Sequence, residues 1–138
     1  MKKRKSSGMI LMSSLTAFQG TPFLSHYGAS KAYMLILGEG LAHELKRNGI
    51  DLMVCCPGAT LTENFKSSLP EGQKTSGIPV MEPVDVAEQA LKALGKREIF
   101  IPGISNRLAS FLMRRMMSRK AAVSVMQSSA EKLYGKRV

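Results

Sequence analysis

Three side chains near the start of this 138-residue chain have the types and spacing for proton chemistry: Ser14, Tyr27 and Lys31. Tyr27 and Lys31 are four residues apart, so on a helix they share one face. An ammonium beside a phenol favours the phenolate, whose unperturbed pKa is about 10. A tyrosine in that setting acts as a general acid or base nearer neutral pH. Ser14 supplies a second hydroxyl thirteen residues earlier. A lone Tyr-x-x-x-Lys arises readily by chance, and the plain alternative is a loop serine followed by ordinary helix-start residues.

The elements that would position these groups follow from the apolar pattern. Residues 8–14 (GMILMSS) read as a short buried strand with Ser14 at its end. Residues 15–26 contain Gly20 and Pro22 and read as a loop. From Tyr27, apolar residues at Ala29, Ala32, Tyr33, Ile36, Leu37, Leu41 and Leu45 recur every three or four positions. That spacing predicts a helix of about five turns. Lys46 and Arg47 suit its negative end, and Gly49 suits a left-handed residue just past it. Residues 50–56 (IDLMVCC) are a second strand, apolar enough to be buried on both faces.

Residues 59–83 read as a long irregular segment, of the sort often used as a functional loop or lid. Asp85 is expected to cap a helix over 86–94, with Glu88 completing a variant capping box and Gly95 ending it. A third strand spans 98–101, a helix runs from Ser105 to about Arg119, and another covers 121–134. Strands alternating with helices imply parallel pairing, hence an α/β fold with a thin sheet of about three strands.

Composition narrows the function classes. With 44% hydrophobic and 22% charged residues the chain is globular, and it has no apolar stretch long enough to span a membrane. The start lacks the apolar core of a secretory signal, and the two cysteines cannot build a disulfide framework, so a reducing cytoplasm is the default. Cys55 and Cys56 read as buried small residues. His26 and His43 have no metal-ligand spacing, so no metal is expected. The net charge of +10 sits at the ends: +4 in residues 2–5, −1 over 6–106 and +7 over 107–138. Such ends usually serve as solvated faces, but they suit anionic lipid and, less well, nucleic acid. In residues 106–120, Leu108, Phe111 and Leu112 fall on one side and Arg107, Arg114 and Arg115 elsewhere, a pattern that suits an anionic membrane, packing on the domain, or an apolar substrate pocket.

Three motifs in register make the chemistry more specific. GMILMSS at 8–14, YGASK at 27–31 and CCPGATLT at 55–62 follow one another as a strand serine, Tyr-x-x-x-Lys and Pro-Gly-x-x-x-Thr. In this the chain resembles the C-terminal half of a short-chain dehydrogenase/reductase, over most of residues 8–103. The resemblance implies a partial Rossmann-type sheet over 1–103, followed by a basic helical tail at 104–138. It implies that Tyr27 exchanges a proton with an alcohol or carbonyl oxygen, that Lys31 assists Tyr27 and binds the nicotinamide ribose, and that Ser14 holds the substrate oxygen. Pro57, Gly58 and Thr62 would line the nicotinamide of NAD or NADP, and residues 63–80 would form a mobile substrate loop.

The same resemblance makes an absence conspicuous. No trio among the twelve glycines fits Gly-x-x-x-Gly-x-Gly or Gly-x-Gly-x-x-Gly, the turn that cradles the cofactor pyrophosphate. The expectation is a family member begun internally, with residues 1–8 resembling the end of the helix before the serine strand. Such a chain is expected to be weakly active or inactive and to bind dinucleotide poorly on its own. The alternative is a non-catalytic interaction chain. It would pair through the open edge of its serine strand with a complementing N-terminal half, through its long helix as a homo-oligomer, or through its basic tail with a membrane.

Overall fold

The computed structural model describes residues 7–70 and 77–135. The basic run at 2–5, the helix end expected over 1–8 (save its last two residues) and positions 71–76 of the expected substrate loop lie outside the described residues. The chain is an α/β structure organised around a parallel three-stranded sheet. Strand β1 (Ser7–Met12) pairs with β2 (Ile50–Cys55) from Ser7↔Ile50 to Met12↔Cys55. Strand β5 (Ile99–Phe100) pairs with the other edge of β2 through Val54↔Ile99 and Cys55↔Phe100.

The central strand explains the core. Alternate β2 residues point to opposite faces, and five of its six residues are buried, Asp51 being the exception. Met53 and Cys55 pack with Val86, Ala90 and Ala93 of α3 (Pro83–Ala93) and with Phe100. Leu52, Val54 and the following Cys56 pack on the other face with Leu35 and Ala42 of α1 (Ser25–Lys46). Each large apolar side chain buried this way contributes about 1.5–3 kcal/mol. Helix α1 approaches the sheet closely because Gly38 has no side chain. A methyl group there would collide with the Val54 side chain and lie 3.3 Å from Leu11. His43 and Lys46 occupy the last turn of α1, and Gly49 takes φ +68° beyond it.

Several local expectations are corrected. Helix α1 begins at Ser25, not Tyr27, so the tyrosine sits within its first turn. Strand β1 ends at Met12, leaving Ser14 two residues beyond it as the cap of a 3-10 turn over Leu15–Ala17. Asp85 does not cap α3. Pro83, preset for the first helical position, starts that helix one residue after Glu82, and Asp85 lies in the first turn. Residues 59–83 are not wholly irregular. They contain β3 (Ala59–Thr60), α2 (Glu63–Ser68) and β4 (Val80–Met81), and β3 pairs parallel with β4. Two-residue strands carry no readable alternation, so their pairing had no signal in the sequence.

Two helices close the chain, α4 (Ile104–Arg115) and α5 (Arg119–Tyr134). The break falls at 116–118 rather than after Arg119 because the Ser118 side chain caps α5, accepting from the Ala121 N–H at 3.2 Å. Among the described residues no helix is long and apolar enough to cross a membrane.

Candidate functional site

The carboxyl end of the parallel sheet is where the sequence motifs converge. Past the last ladder pair, the Ser13 N–H donates to the Cys55 carbonyl at 2.7 Å and the Leu15 N–H to the Pro57 carbonyl at 2.9 Å. These bonds run β1 and β2 on together as far as Pro57, with buried Ser14 between the two donors. The Ser14 Oγ accepts from the Thr16 N–H at 3.2 Å, which turns the chain sharply away from the sheet.

Helix α1 returns to the same point. The Lys31 Nζ donates to the Met12 carbonyl at 2.9 Å, and the Ser13 hydroxyl donates to the Lys31 carbonyl at 2.8 Å. The second turn of α1 is thus tied to the end of β1 by one bond from each side. The Lys31 ammonium lies 5.5 Å from the centre of the Tyr27 ring, a cation–π distance. Gly28, beside Tyr27, faces the 3-10 turn so closely that a methyl group there would stand 3.3 Å from the Thr16 carbonyl. Tyr27 is about half-exposed and none of the described residues hydrogen-bonds its hydroxyl. Among the described residues, Ser14 makes no direct hydrogen bond to Tyr27 or Lys31; the three are related through Met12, Ser13 and the 3-10 turn.

The Pro57–Gly58 turn leads into β3, and the Thr60 hydroxyl donates back to the Gly58 carbonyl at 3.1 Å. Thr62 has a structural role of its own. Its hydroxyl oxygen caps α2, accepting from the Phe65 N–H at 3.2 Å. The hydroxyl proton is left to donate outward.

Residues that the sequence pattern did not single out complete the setting. Buried Asn106, in the first turn of α4, donates to the Pro102 carbonyl at 3.0 Å and packs on Gly58 so tightly that a methyl group there would lie 2.8 Å from its Oδ1. Gln89 of α3 accepts from the Gly103 N–H at 3.0 Å, and Gly103 has φ +83°, which favours glycine. In the loop before α1, Phe23 holds φ +67°, a strained value for an aromatic residue. The second Pro-Gly pair, at 102–103, was the one available hint of the Asn106 turn.

Cys55 and Cys56 point to opposite faces of β2 and both are fully buried. Burial, with Cys56 next to it, pushes the Cys55 thiol up to about 12, and burial raises Cys56 to about 11. Both are shut away from solvent in the core, the setting of structural rather than reactive cysteines. Among the described residues no group of His, Cys, Asp and Glu is arranged to hold a metal ion.

The Lys31 ammonium, the Tyr27 phenol and the Pro57–Gly58 turn all follow the carboxyl ends of β1 and β2, Lys31 through the Met12 carbonyl and Pro57 through the Leu15 N–H. No glycine-rich turn for a pyrophosphate accompanies them in this sequence. Comparisons with known proteins give the family and the fold. A family model described as short chain dehydrogenase matches residues 1–73. A 7beta-hydroxysteroid dehydrogenase of Clostridium sardiniense is 32% identical over 106 residues, 77% of this chain and 40% of the relative. The solved structure of a 7beta-hydroxysteroid dehydrogenase superposes with a TM-score of 0.72 at 28% identity, covering 86% of this chain and 45% of its own. A short-chain dehydrogenase from Sphingobium yanoikuyae, solved in complex with NADPH, superposes with a TM-score of 0.59 at 28% identity, covering 83% of this chain and 45% of its own. The chain spans less than half the length of these relatives.

Proposed function

The chain belongs to the short-chain dehydrogenase family, and from that membership we propose that it forms the proton-transfer side of an NAD(P)-dependent oxidoreductase acting on an alcohol/carbonyl pair. The proposed catalytic residues all fall within 1–103, and the basic tail assigned to 104–138 carries α4 and α5, with Asn106 of α4 supporting Gly58. The observation that carries this reading is the position of Lys31. Its ammonium is held 2.9 Å from the Met12 carbonyl at the tip of β1 while facing the Tyr27 ring at 5.5 Å.

Tyr27 passes a proton to a carbonyl oxygen, or accepts one from an alcohol. Lys31, anchored by Met12 and with further N–H donors to spare, orients a ribose hydroxyl beside Tyr27. Ser14 donates its hydroxyl proton to the substrate oxygen while keeping Thr16 as its own donor. Pro57 and Gly58 would flank a nicotinamide, and Thr62 would offer its hydroxyl proton to the carboxamide. The bound nicotinamide supplies or takes up the hydride.

With the pyrophosphate turn missing from this sequence, the isolated chain is expected to show no saturable NAD(H) or NADP(H) binding by calorimetry. Fusing it behind the amino-terminal half of the Clostridium sardiniense relative tests the roles directly. The fusion is expected to oxidise an alcohol or reduce a ketone with nicotinamide turnover. Tyr27→Phe should lower the rate by about a hundredfold or more. A folded fusion that turns over with Tyr27→Phe as fast as with Tyr27 would overturn the assignment.

A second reading has its own observation. In the order β1-β2-β5, one edge of β1 faces no other strand among the described residues, while Tyr33 and Ile36 of α1 are exposed. Such surfaces favour association, either with a strand that complements the sheet or with a second copy. Light scattering of the isolated chain is expected to report species above 15.1 kDa, the mass of one chain. A clean monomer with cooperative unfolding removes this reading.

A further inference from the structure

Helix α4 is built inside out. Its inward residues, Asn106 and Ser110, are polar and only 5% and 2% exposed, and the buried Ser110 hydroxyl has no hydrogen-bond partner among the described residues. Its outward residues are apolar: Ile104, Leu108, Phe111 and Leu112 are 44–78% exposed, and Met116 just beyond the helix is 72% exposed. The spacing of four, three and one residues places the first four on one stripe. A helix packed on a water-soluble body normally shows the reverse pattern, and a contiguous apolar stripe facing water marks an interaction surface.

Two contacts fix this orientation. The Asn106 amide is held by the Pro102 carbonyl at 3.0 Å, and the Arg114 guanidinium stacks over the Phe18 ring at 4.2 Å. The helix is therefore pinned at both ends with its stripe outward. Exposed cations stand beside it at Arg107, at its carboxyl end at Arg115, and at the start of α5 at Arg119 and Lys120. From 107 to the end, eight Lys/Arg stand against a single acidic residue, Glu131.

We propose that the outward face of α4 docks on an anionic lipid surface, with the helix lying in the plane of the interface. An apolar stripe beside cations, in a tail with a single acidic residue, is the pattern that interfacial helices present to acidic headgroups. Pairing the stripe with that of a second copy would bring two tails of charge +7 together, which like-charge repulsion opposes. Nucleic acid would neutralise the arginines but leave Ile104, Leu108 and Phe111 in water. The docking face is carried by the helix whose first turn packs on Gly58, so the lipid surface and the candidate site share one support. The proposal stands whether or not the chain turns over a substrate.

The test uses the full 138-residue chain. It is sedimented with vesicles of phosphatidylcholine alone and of phosphatidylcholine with about one-third phosphatidylglycerol. Binding is expected to be at least about tenfold tighter to the anionic vesicles and to weaken as salt is raised. Leu108→Ser with Phe111→Ser should reduce that binding about tenfold or more while circular dichroism and melting stay unchanged, because both residues face solvent. Arg115→Glu with Lys120→Glu should abolish the preference for anionic vesicles, and it decides the matter if the serine variant misfolds. Tyr33→Ser, equally exposed on α1, should leave vesicle binding as it was. A folded wild-type chain that ignores anionic vesicles overturns the proposal, as does undiminished binding by the folded serine variant. Without vesicle binding, a dimer dissolved by the serine variant, or DNA binding indifferent to it, assigns the surface to another partner and also overturns the proposal.

Discussion

Between β2 and α4 the relation of residue type to burial reverses. In β2 and its extension the apolar residues Leu52, Met53, Val54, Cys55 and Cys56 are all 4% exposed or less, and the one charged residue, Asp51, faces out. In α4 the polar Asn106 and Ser110 face in, and the large apolar side chains face water. Both elements belong to one chain and both have identifiable partners. The difference is that β2 is covered on two faces by α1 and α3, so every apolar residue has an internal destination. Helix α4 has the body on one side only, and that side is occupied by polar contacts to Pro102 and by the close approach to Gly58. Burial inside the sheet is thus a property of this chain alone, whereas the exposure of α4 refers to a surface outside it.

Substitutions can break or sharpen that contrast, and the largest effect belongs to the sheet. Met53→Ala empties a fully buried site between β2 and α3 and is expected to cost about 2–5 kcal/mol in urea unfolding. A loss well below that range would mean that the two sheet faces are not the stabilising core. Gly38→Ala comes next. Alanine gains up to about 1 kcal/mol in helix propensity, but its methyl group collides with Val54, so a net loss of about 1–3 kcal/mol is expected. Net stabilisation would show that α1 does not seat on the sheet at that glycine.

The paired thiols add a pH signature of the same core. In the unfolded chain each thiol ionises near its ordinary value of 9.0, whereas the folded chain keeps its protons until about 12 at Cys55 and about 11 at Cys56. Above pH 9 the unfolded chain therefore releases protons that the folded chain retains, and stability falls. The contribution is complete below about pH 9 and declines through pH 11–12. Urea midpoints between pH 8 and pH 11 follow the decline, and the double variant Cys55→Ala/Cys56→Ala should flatten it. The smallest effect is on α4: Phe111→Ser is expected to shift stability by less than about 0.5 kcal/mol, since its ring faces solvent. A loss comparable with that of Met53→Ala would place Phe111 in a core and erase the contrast.

Much of this organisation was legible in the residues. The runs at 8–14 and 50–56 read as strands because they are short and largely apolar, the first stopping at Met12 and the second buried on both faces. The positions of Gly49 and Gly95 read as helix ends, and both take positive φ. The step of four from Tyr27 to Lys31 was enough to put them on one face, because helix periodicity is local. The pairing of β3 with β4 was not legible, since two residues carry no period. The Pro83 start of α3 was obscured by Asp85, which offers an equally good cap two residues later. Thr62 was singled out for its place in a motif, and the sequence did not reveal that its oxygen also caps α2.

By itself, then, the sequence determined which residues seek burial and which share a helical turn, because those properties depend on residue type and on neighbours within about four positions. Only the tertiary structure decided that the Lys31 ammonium is anchored by the Met12 carbonyl, nineteen residues away, and that Asn106 rests on Gly58 across forty-eight. It also decided which side of α4 turns inward. An amphipathic pattern states that two faces differ, but the direction of the helix is set by the contacts at its ends. Those contacts form only when the chain closes on itself.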